Sequence, residues 1–240
     1  MRTSRPASTP RAGVGAVLVA GTLSAMPPAA RLAAQPASSA PHEVAVAVFG
    51  GTAWSLPTPL VVRLAGAPST TRRARYSTRP FADAPYYAYR VSGGTVDHAA
   101  EAEVVHHKIY LENPTPPVER FEVTHGYNLA TADVRAPAGR YQARFGIGLV
   151  IAHPEGRIAG HELAGQRTVL RGGYHVAGVT VQLGVGRRYL LGRGATAAFA
   201  APELKLTASA ARVPIADVGD VLVPNVALHA LAGLGVRRAW

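Results

Sequence analysis

The segment NVALHALAGLGVRRAW, residues 225–240, decides the fold, because its hydrophobicity alternates with a period of two. Apolar side chains occupy every second position from Val226 to Val236, and the residues between them, except Leu231, are polar or small. This period is typical of a β-strand whose side chains point alternately to the two faces of a sheet. One face of the strand is therefore apolar, and the other is polar or closely packed.

Nine earlier segments show similar alternation and are separated by Gly, Pro, Asn and Asp, which favour turns. The ten segments are 43–53, 58–66, 70–78, 85–92, 99–112, 118–130, 140–153, 173–188, 196–209 and 225–240. Several have the ~9–11 residues of a tilted membrane-spanning strand. Outside the N-terminal region, no apolar run reaches the ~20 residues that a membrane helix needs.

Three of the segments indicate which face points outward. Phe145 and Ile147 alternate with Arg144 and glycines, and Leu204 and Leu206 alternate with Glu203, Lys205 and Thr207. In the segment 173–188, Ala177 and the Val and Leu residues at positions 179–185 form the apolar face. A soluble β-sandwich would bury such apolar faces, whereas a membrane barrel exposes them to lipid and encloses the polar face.

We therefore predict an all-β fold, an antiparallel up-and-down transmembrane β-barrel over residues 43–240, with about ten strands. Eight strands are the alternative, because Pro57, Pro59 and Pro68 interrupt the segments before Pro80. The longest predicted connections, 154–172 and 210–224, fall on the same side of the sheet, as the long loops of such barrels do.

The N-terminal region has the features of an export signal. Residues 1–34 contain a basic start, an apolar core and small residues before Gln35, which predict a cleaved signal peptide; a membrane anchor is the alternative. Residues 35–42 form a short lead-in to the barrel.

Removal of the four leader arginines would reduce the formal charge from +11 to +7. The remaining arginines are scattered, so we expect contact with anionic lipid and no nucleic-acid partner. The absence of cysteine excludes disulfide and thiol chemistry.

A hairpin around residues 113–117 groups many ionisable residues. Centred near Thr115, it places Lys108 opposite Glu122 and Tyr110 opposite Arg120, on a polar face that we turn inward. The predicted interior polar network comprises Glu103, His106, Lys108, Arg120, Glu122, Arg144, Glu203 and Lys205. Such a network would plug the barrel with ion pairs, so a structural or narrow-pore role is the main functional hypothesis.

The other face of this hairpin contains His107 and His125 among apolar residues. Imidazoles facing lipid without partners are unfavourable. They indicate either a catalytic pair that acts on lipid or a β-bulge, at Val104–Val105 or His125–Gly126, that turns one or both inward. The alternative function is therefore a lipid-modifying enzyme, a lipid A or phospholipid acyl hydrolase or acyltransferase.

Ser209 and His229 are a second catalytic candidate, because both are predicted to face inward near the rim of neighbouring strands. No GxSxG-type turn surrounds Ser209.

Residues 153–162 contain two His and two Glu without the HExxH spacing. A solvated loop is the main interpretation of this segment, and a divalent-cation site that bridges lipopolysaccharide phosphates is the alternative. We predict no metal site and no cofactor.

Five short motifs resemble those of uncharacterised bacterial outer-membrane β-barrel proteins. They are TRPF (78–81), PYY (85–87), HHKIYL (106–111), HGYN (125–128) and AHPEG (152–156). The C-terminal strand with its final Trp240 is similar to the closing strand that the barrel assembly machinery reads. The resemblance implies the outer membrane as the location, with its lipid, lipopolysaccharide and that machinery as partners, and it implies no reaction.

Overall fold

The computed structural model describes residues 40–82, 84–163 and 173–240, so the predicted signal peptide lies outside the described residues. The strands are β1 (His42–Leu56), β2 (Thr58–Leu64), β3 (Thr70–Ala74), β4 (Tyr76–Ser77), β5 (Tyr87–Thr95), β6 (Ala99–Leu111), β7 (Val118–Ala138), β8 (Tyr141–Ala152), β9 (Glu155–Ile158), β10 (His161–Glu162), β11 (His175–Gly186), β12 (Tyr189–Leu190), β13 (Thr196–Ile215) and β14 (Gly219–Ala239). Within these ranges no helix is long and apolar enough to span a membrane.

Eight strands form a closed antiparallel ring. Its order is β1–β5–β6–β7–β8–β11–β13–β14, and β14 pairs again with β1 along fourteen residue pairs from Glu43 to Leu56. Each strand thus pairs with the next large strand in the chain, which confirms the all-β up-and-down barrel. The strand count is corrected from ten to the alternative of eight.

The two predicted segments that do not join the ring form a hairpin beside it. β2 pairs with the start of β14, Gly219 to Leu222, and β3 pairs with β2. Pro57 separates β1 from β2 and has no N–H with which to continue the ladder. The Thr58 hydroxyl donates to the Pro224 carbonyl at 2.6 Å and fixes the hairpin on β14.

The connections differ in length between the two ends of the barrel. At the end we call the short-turn end, residues 96–98 and 139–140 join strands directly, and His42 and Trp240 exchange two backbone hydrogen bonds of 3.0 Å. At the opposite, long-strand end, β7, β13 and β14 continue well beyond their neighbours. The predicted connection 210–224 is wrong, because alternation persists through it and only residues 216–218 turn.

The interior has two layers of opposite character. Toward the short-turn end it contains a charged layer, described below. Toward the long-strand end it contains a dry cluster that we call the apolar cap. Its main members are Leu60, Val62, Ile109, Phe121, Val123, Leu129, Val150, Ile158, Val213, Ile215, Val221 and Val223. A charged interior therefore changes into an ordinary hydrophobic core along the same strands.

The outer face around the charged layer is apolar. Phe145, Ile147, Leu204 and Leu206 are 46–57% exposed on it, as the alternation predicts. Ala177 is the exception, because a bulge between Val176 and Gly178 reverses the alternation and buries this side chain. This inside-out polarity suits a barrel surrounded by hydrocarbon at this level.

Candidate functional site

The charged layer is organised around Glu203 on β13. Its two carboxylate oxygens accept hydrogen bonds from the Arg90 guanidinium, at 2.7 and 2.9 Å. Nη1 of Arg144 lies 2.9 Å from the same carboxylate. All three side chains are at most 5% exposed. A forked contact of this kind holds a carboxylate in a fixed orientation as well as neutralising it.

Two further carboxylates complete this layer. Glu101 accepts from Nε of Arg144 at 2.7 Å, and Glu103 accepts from Nε of Arg90 at 2.7 Å. Lys205 donates to Glu103 and lies 3.5 Å from Glu203. Around Glu203, three cations therefore face three carboxylates in a region closed to solvent, and the buried Arg135 and Asp133 border this group. Pairing within the group matters, because an unpaired charge in such a place would be strongly unfavourable.

Polar groups extend the layer in both directions. The Gln182 amide donates to Thr131 at 2.9 Å and to Asp133 at 2.5 Å. Toward the short-turn end, Arg135 donates to Glu101 and to the carbonyl oxygens of residues 95 and 96. Glu43 there is paired with Arg188 and, at 3.4 Å, with Arg237.

Little free volume remains at this level. The Phe49 ring lies over the Arg90 guanidinium, with 4.5 Å between the guanidinium carbon and the ring centroid. A cavity of only about 10 Å³ separates these two residues from Arg144 and Arg188. This is close to the ~10–15 Å³ that one water molecule requires. Between these four side chains there is therefore room for about one water molecule.

Four of the eight residues predicted for the interior network lie in this layer, namely Glu103, Arg144, Glu203 and Lys205. The other four do not. His106, Lys108, Arg120 and Glu122 lie on the outer face of the β6–β7 hairpin, because the opposite face supplies Ile109, Phe121 and Val123 to the apolar cap.

The outward-facing residues have their own partners. His106 stacks on Tyr87 and has Nδ1 2.9 Å from Oδ1 of Asn128. Lys108 is fully buried and donates to the carbonyl oxygens of Ala82 and Ala84.

The register of this hairpin also differs from the prediction. Glu122 stands opposite Tyr110 and not Lys108, and its carboxylate pairs with Arg120 at 2.9 Å. Tyr127 stands opposite His107, so three residues of β7, 124–126, face one residue of β6. This bulge includes the predicted alternative at His125–Gly126. Gly126 has φ +124°, which a residue with a side chain adopts only with strain.

The two histidines of the predicted lipid-facing pair lie in different places. His107 points inward and is fully buried, and its ring lies 5.1 Å from that of His229. Nε2 of His107 donates to Asn225 at 3.1 Å, and the Asn225 amide donates to Ser55 at 3.0 Å. His125 remains at the rim, 58% exposed. The structure therefore does not bring His107 and His125 together as a pair.

The Ser209 and His229 pair is not assembled either. Nε2 of His229 lies 2.8 Å from the Thr207 hydroxyl, and Nδ1 is hydrogen-bonded to the Tyr86 hydroxyl. The Ser209 hydroxyl lies 3.2 Å from the Tyr127 hydroxyl and donates to the Asn225 carbonyl at 3.2 Å. Both residues lie in the interior, below the rim. The lipid-modifying hypothesis loses this pair and stays a prediction about the rim.

The rim contains a cluster of metal-ligating side chains. His125, His153 and Glu155 each present a ligand atom, and these atoms lie within 4.8 Å of one another. Nδ1 of His125 donates to the Glu155 carboxylate at 2.7 Å. His153 and Glu155 are two of the four residues in the segment 153–162 that the sequence offers as an alternative cation site. His125 is far from them in sequence, so the spacing within that segment could not identify it.

Several residues of the charged layer were missed from the sequence. Arg90, Glu101 and Arg135 each carry two or more of its contacts. Arg90 shares a strand face with Ala88 and Ser92, and Arg135 shares one with Asp133 and Thr131, so each lies on a face of mixed small and polar residues. That signal could have found them, but only once the inward face of each strand was known.

Together these observations define a closed eight-stranded β-barrel with an ion-paired, filled interior and an apolar outer face. No protein-family model matches the chain. No curated protein is similar to it in sequence. Among solved structures it is similar to the crystal structure of Neisserial surface protein A, with 10% identity over 83% of this chain and 97% of that chain and a TM-score of 0.33. Assignment to the class of closed β-barrels therefore rests on the strand pairing and on the polarity of the inner and outer faces.

Proposed function

We propose that the protein is an integral outer-membrane β-barrel with a non-conducting interior, whose role is structural. The observation that carries this proposal is the charged layer enclosed by an apolar outer face. Ion pairs that fill a ring at the level where hydrocarbon surrounds it stabilise a closed wall. They leave no continuous path for a solute.

The apolar cap supports the closed form independently. An open lumen requires a polar lining along its whole length, and the cap places buried Leu, Val, Ile and Phe side chains across the long-strand end. The narrow-pore version of the sequence hypothesis is therefore the less favoured one.

Outer-membrane location and export by a cleaved signal peptide belong to the same proposal. The end of β14 supports it, because Leu234 and Val236 are exposed on the outer face and Trp240 is 66% exposed beside the His42 ring. The barrel assembly machinery is the proposed partner for this exposed apolar strand. Outer-membrane lipid and lipopolysaccharide would contact the apolar band and its arginines.

The test combines membrane insertion with conductance. Protein refolded in detergent is inserted into lipid vesicles, and its folded state is followed by electrophoretic mobility before and after boiling. In planar bilayers we expect stable insertion without single-channel steps. Regular conductance steps from the inserted protein would contradict the closed interior, and failure to partition from buffer into lipid would contradict the membrane role.

A further inference from the structure

We propose that His125, His153 and Glu155 form a binding site for a divalent transition-metal ion, with Zn²⁺ as the chemical type. The three ligand atoms lie within 4.8 Å of one another at the rim of the barrel. Two imidazoles and one carboxylate, with a fourth position left open, are a recurrent zinc ligand set. The site goes beyond the proposed structural role and does not depend on it.

The backbone fixes the three ligands from separate strands. His125 stands in the β7 bulge, His153 follows the end of β8, and Glu155 begins β9 opposite Glu122. The His153 N–H donates to the Gly126 carbonyl at 3.2 Å, which ties the second ligand to the bulge that presents the first. The backbone hydrogen bonds of the barrel therefore hold the three ligands near one another.

Tyr174 holds the cluster from the other side. Its hydroxyl donates to the His125 carbonyl at 2.9 Å, and its ring packs edge-on against the His153 imidazole, with centroids 5.1 Å apart. Nδ1 of His153 is buried and has no hydrogen-bond partner among the described residues. Packing thus orients this imidazole, as a metal ligand requires before the ion arrives.

The donor set selects the class of ion. Mg²⁺ and Ca²⁺ prefer shells of oxygen ligands, whereas imidazole nitrogen favours Zn²⁺ and similar transition metals. Zn–N bonds of about 2.0–2.1 Å place tetrahedral ligands about 3.4 Å apart. The ligand atoms now lie within 4.8 Å of one another. Rotation of the exposed His125 and the half-buried Glu155 side chains can shorten these distances.

The experiment titrates Zn²⁺ into untagged, metal-free protein refolded in detergent, with calorimetry as the readout. We expect one saturable site per chain and little competition from Mg²⁺. His153→Gln and Glu155→Gln should each weaken Zn²⁺ binding at least about tenfold, since losing even a residue that only orients a ligand costs about 10–100-fold. His161→Gln is the matched control, because His161 is an exposed histidine on the nearby β10 and lies outside the cluster.

A second readout separates coordination from folding. Co²⁺ in place of Zn²⁺ should give visible absorption bands in the wild-type protein and in His161→Gln, and these bands should be lost in His153→Gln. Heat-dependent mobility in electrophoresis should be the same for all variants. The proposal is overturned if no saturable Zn²⁺ site is found, if Mg²⁺ competes at equal concentration, or if His161→Gln weakens binding as much as His153→Gln does.

Discussion

Glu203→Gln is the sharpest test of the ion-paired interior. The substitution keeps the shape of the side chain and removes its charge. It converts a balanced group of three cations and three anions into one with an excess cation, next to Arg90 and Arg144. The buried environment cannot supply water to the unpaired guanidinium, so the loss is far greater than at a surface.

The expected magnitude follows from the contacts that disappear. Glu203 accepts two hydrogen bonds from Arg90 and lies 2.9 Å from the Arg144 guanidinium, so three charge-assisted contacts are weakened. Hydrogen bonds to charged groups contribute about 1.5–3 kcal/mol each, and removal of one partner of a buried ion pair costs about 3–5 kcal/mol. Since the glutamine oxygen can still accept one bond, we expect a loss of about 3–5 kcal/mol and not the full sum.

The assay is urea unfolding in lipid vesicles, followed by tryptophan fluorescence. Trp54 and Trp240 lie on the outer face, where they change environment when the barrel leaves the bilayer. Glu162→Gln is the control, because the exposed Glu162 pairs with Arg157 at 2.6 Å in a position that solvent screens, and we expect it to behave like the wild type. A loss below about 1 kcal/mol for Glu203→Gln would refute the reasoning. A failure of Glu203→Gln to refold agrees with it only if Glu162→Gln refolds normally.

Three further substitutions test the exterior, the strand contacts and the buried polar cluster in the same unfolding assay. Ile147→Arg should cost about 2–4 kcal/mol in vesicles, because it places a charge against hydrocarbon; an unchanged free energy would place this face in water. Gly148→Ala should destabilise the barrel, since a Cβ there would overlap a backbone oxygen of β7, whereas Gly50→Ala has open space and should be tolerated; equal effects would contradict the close packing. Asn225→Ala should cost about 1–3 kcal/mol because it leaves the buried His107 without its acceptor, and a neutral result would show that the cluster rearranges.

Strand alternation predicted the architecture well because it reports the two faces of a strand directly. The apolar faces of the segments around Phe145 and Leu204 point outward as predicted, and the closing strand pairs with β1 along its length. The strand count failed at residues 58–78, where alternation was present but the partner was the extension of β14 and not a ring neighbour. Alternation identifies a strand; it does not identify the strand beside it.

The site residues were harder to predict, because a period of two does not reveal which face is enclosed. On β6 and β7 the polar face was turned inward by analogy with the rest of the barrel. The apolar side chains of Ile109, Phe121 and Val123 point inward instead. In the proposed membrane setting, the barrel beyond its apolar outer band is surrounded by water, where an ordinary dry core is favourable and polar residues face out. At the level of the charged layer the polar face of a strand therefore points inward, and at the level of the apolar cap the apolar face does.

The bulge at residues 124–126 could not be located from the sequence for a related reason. Histidine followed by glycine is compatible with regular pairing as well as with a bulge, and only Gly126 at positive φ reveals the extra residues. The bulge matters for the chemistry because it presents His125 beside Glu155 at the rim, while His107 points inward with Val105 and Ile109 on the same face of β6. Ser209 and His229 lie on β13 and β14 and have other hydrogen-bond partners.

The change of solvent along the barrel also explains why neutral polar groups stand between the two interior layers. His107, His229 and Asn225 lie between Lys205, which belongs to the charged layer, and Val223, which belongs to the apolar cap. Charged side chains there would have one side against hydrocarbon-like packing without a counter-ion. Purely apolar ones would leave the buried hydroxyls of Thr207 and Tyr86 without their hydrogen-bond partner His229. Uncharged donors and acceptors that satisfy one another, as Thr207, His229 and Tyr86 do, form a boundary that is compatible with both layers.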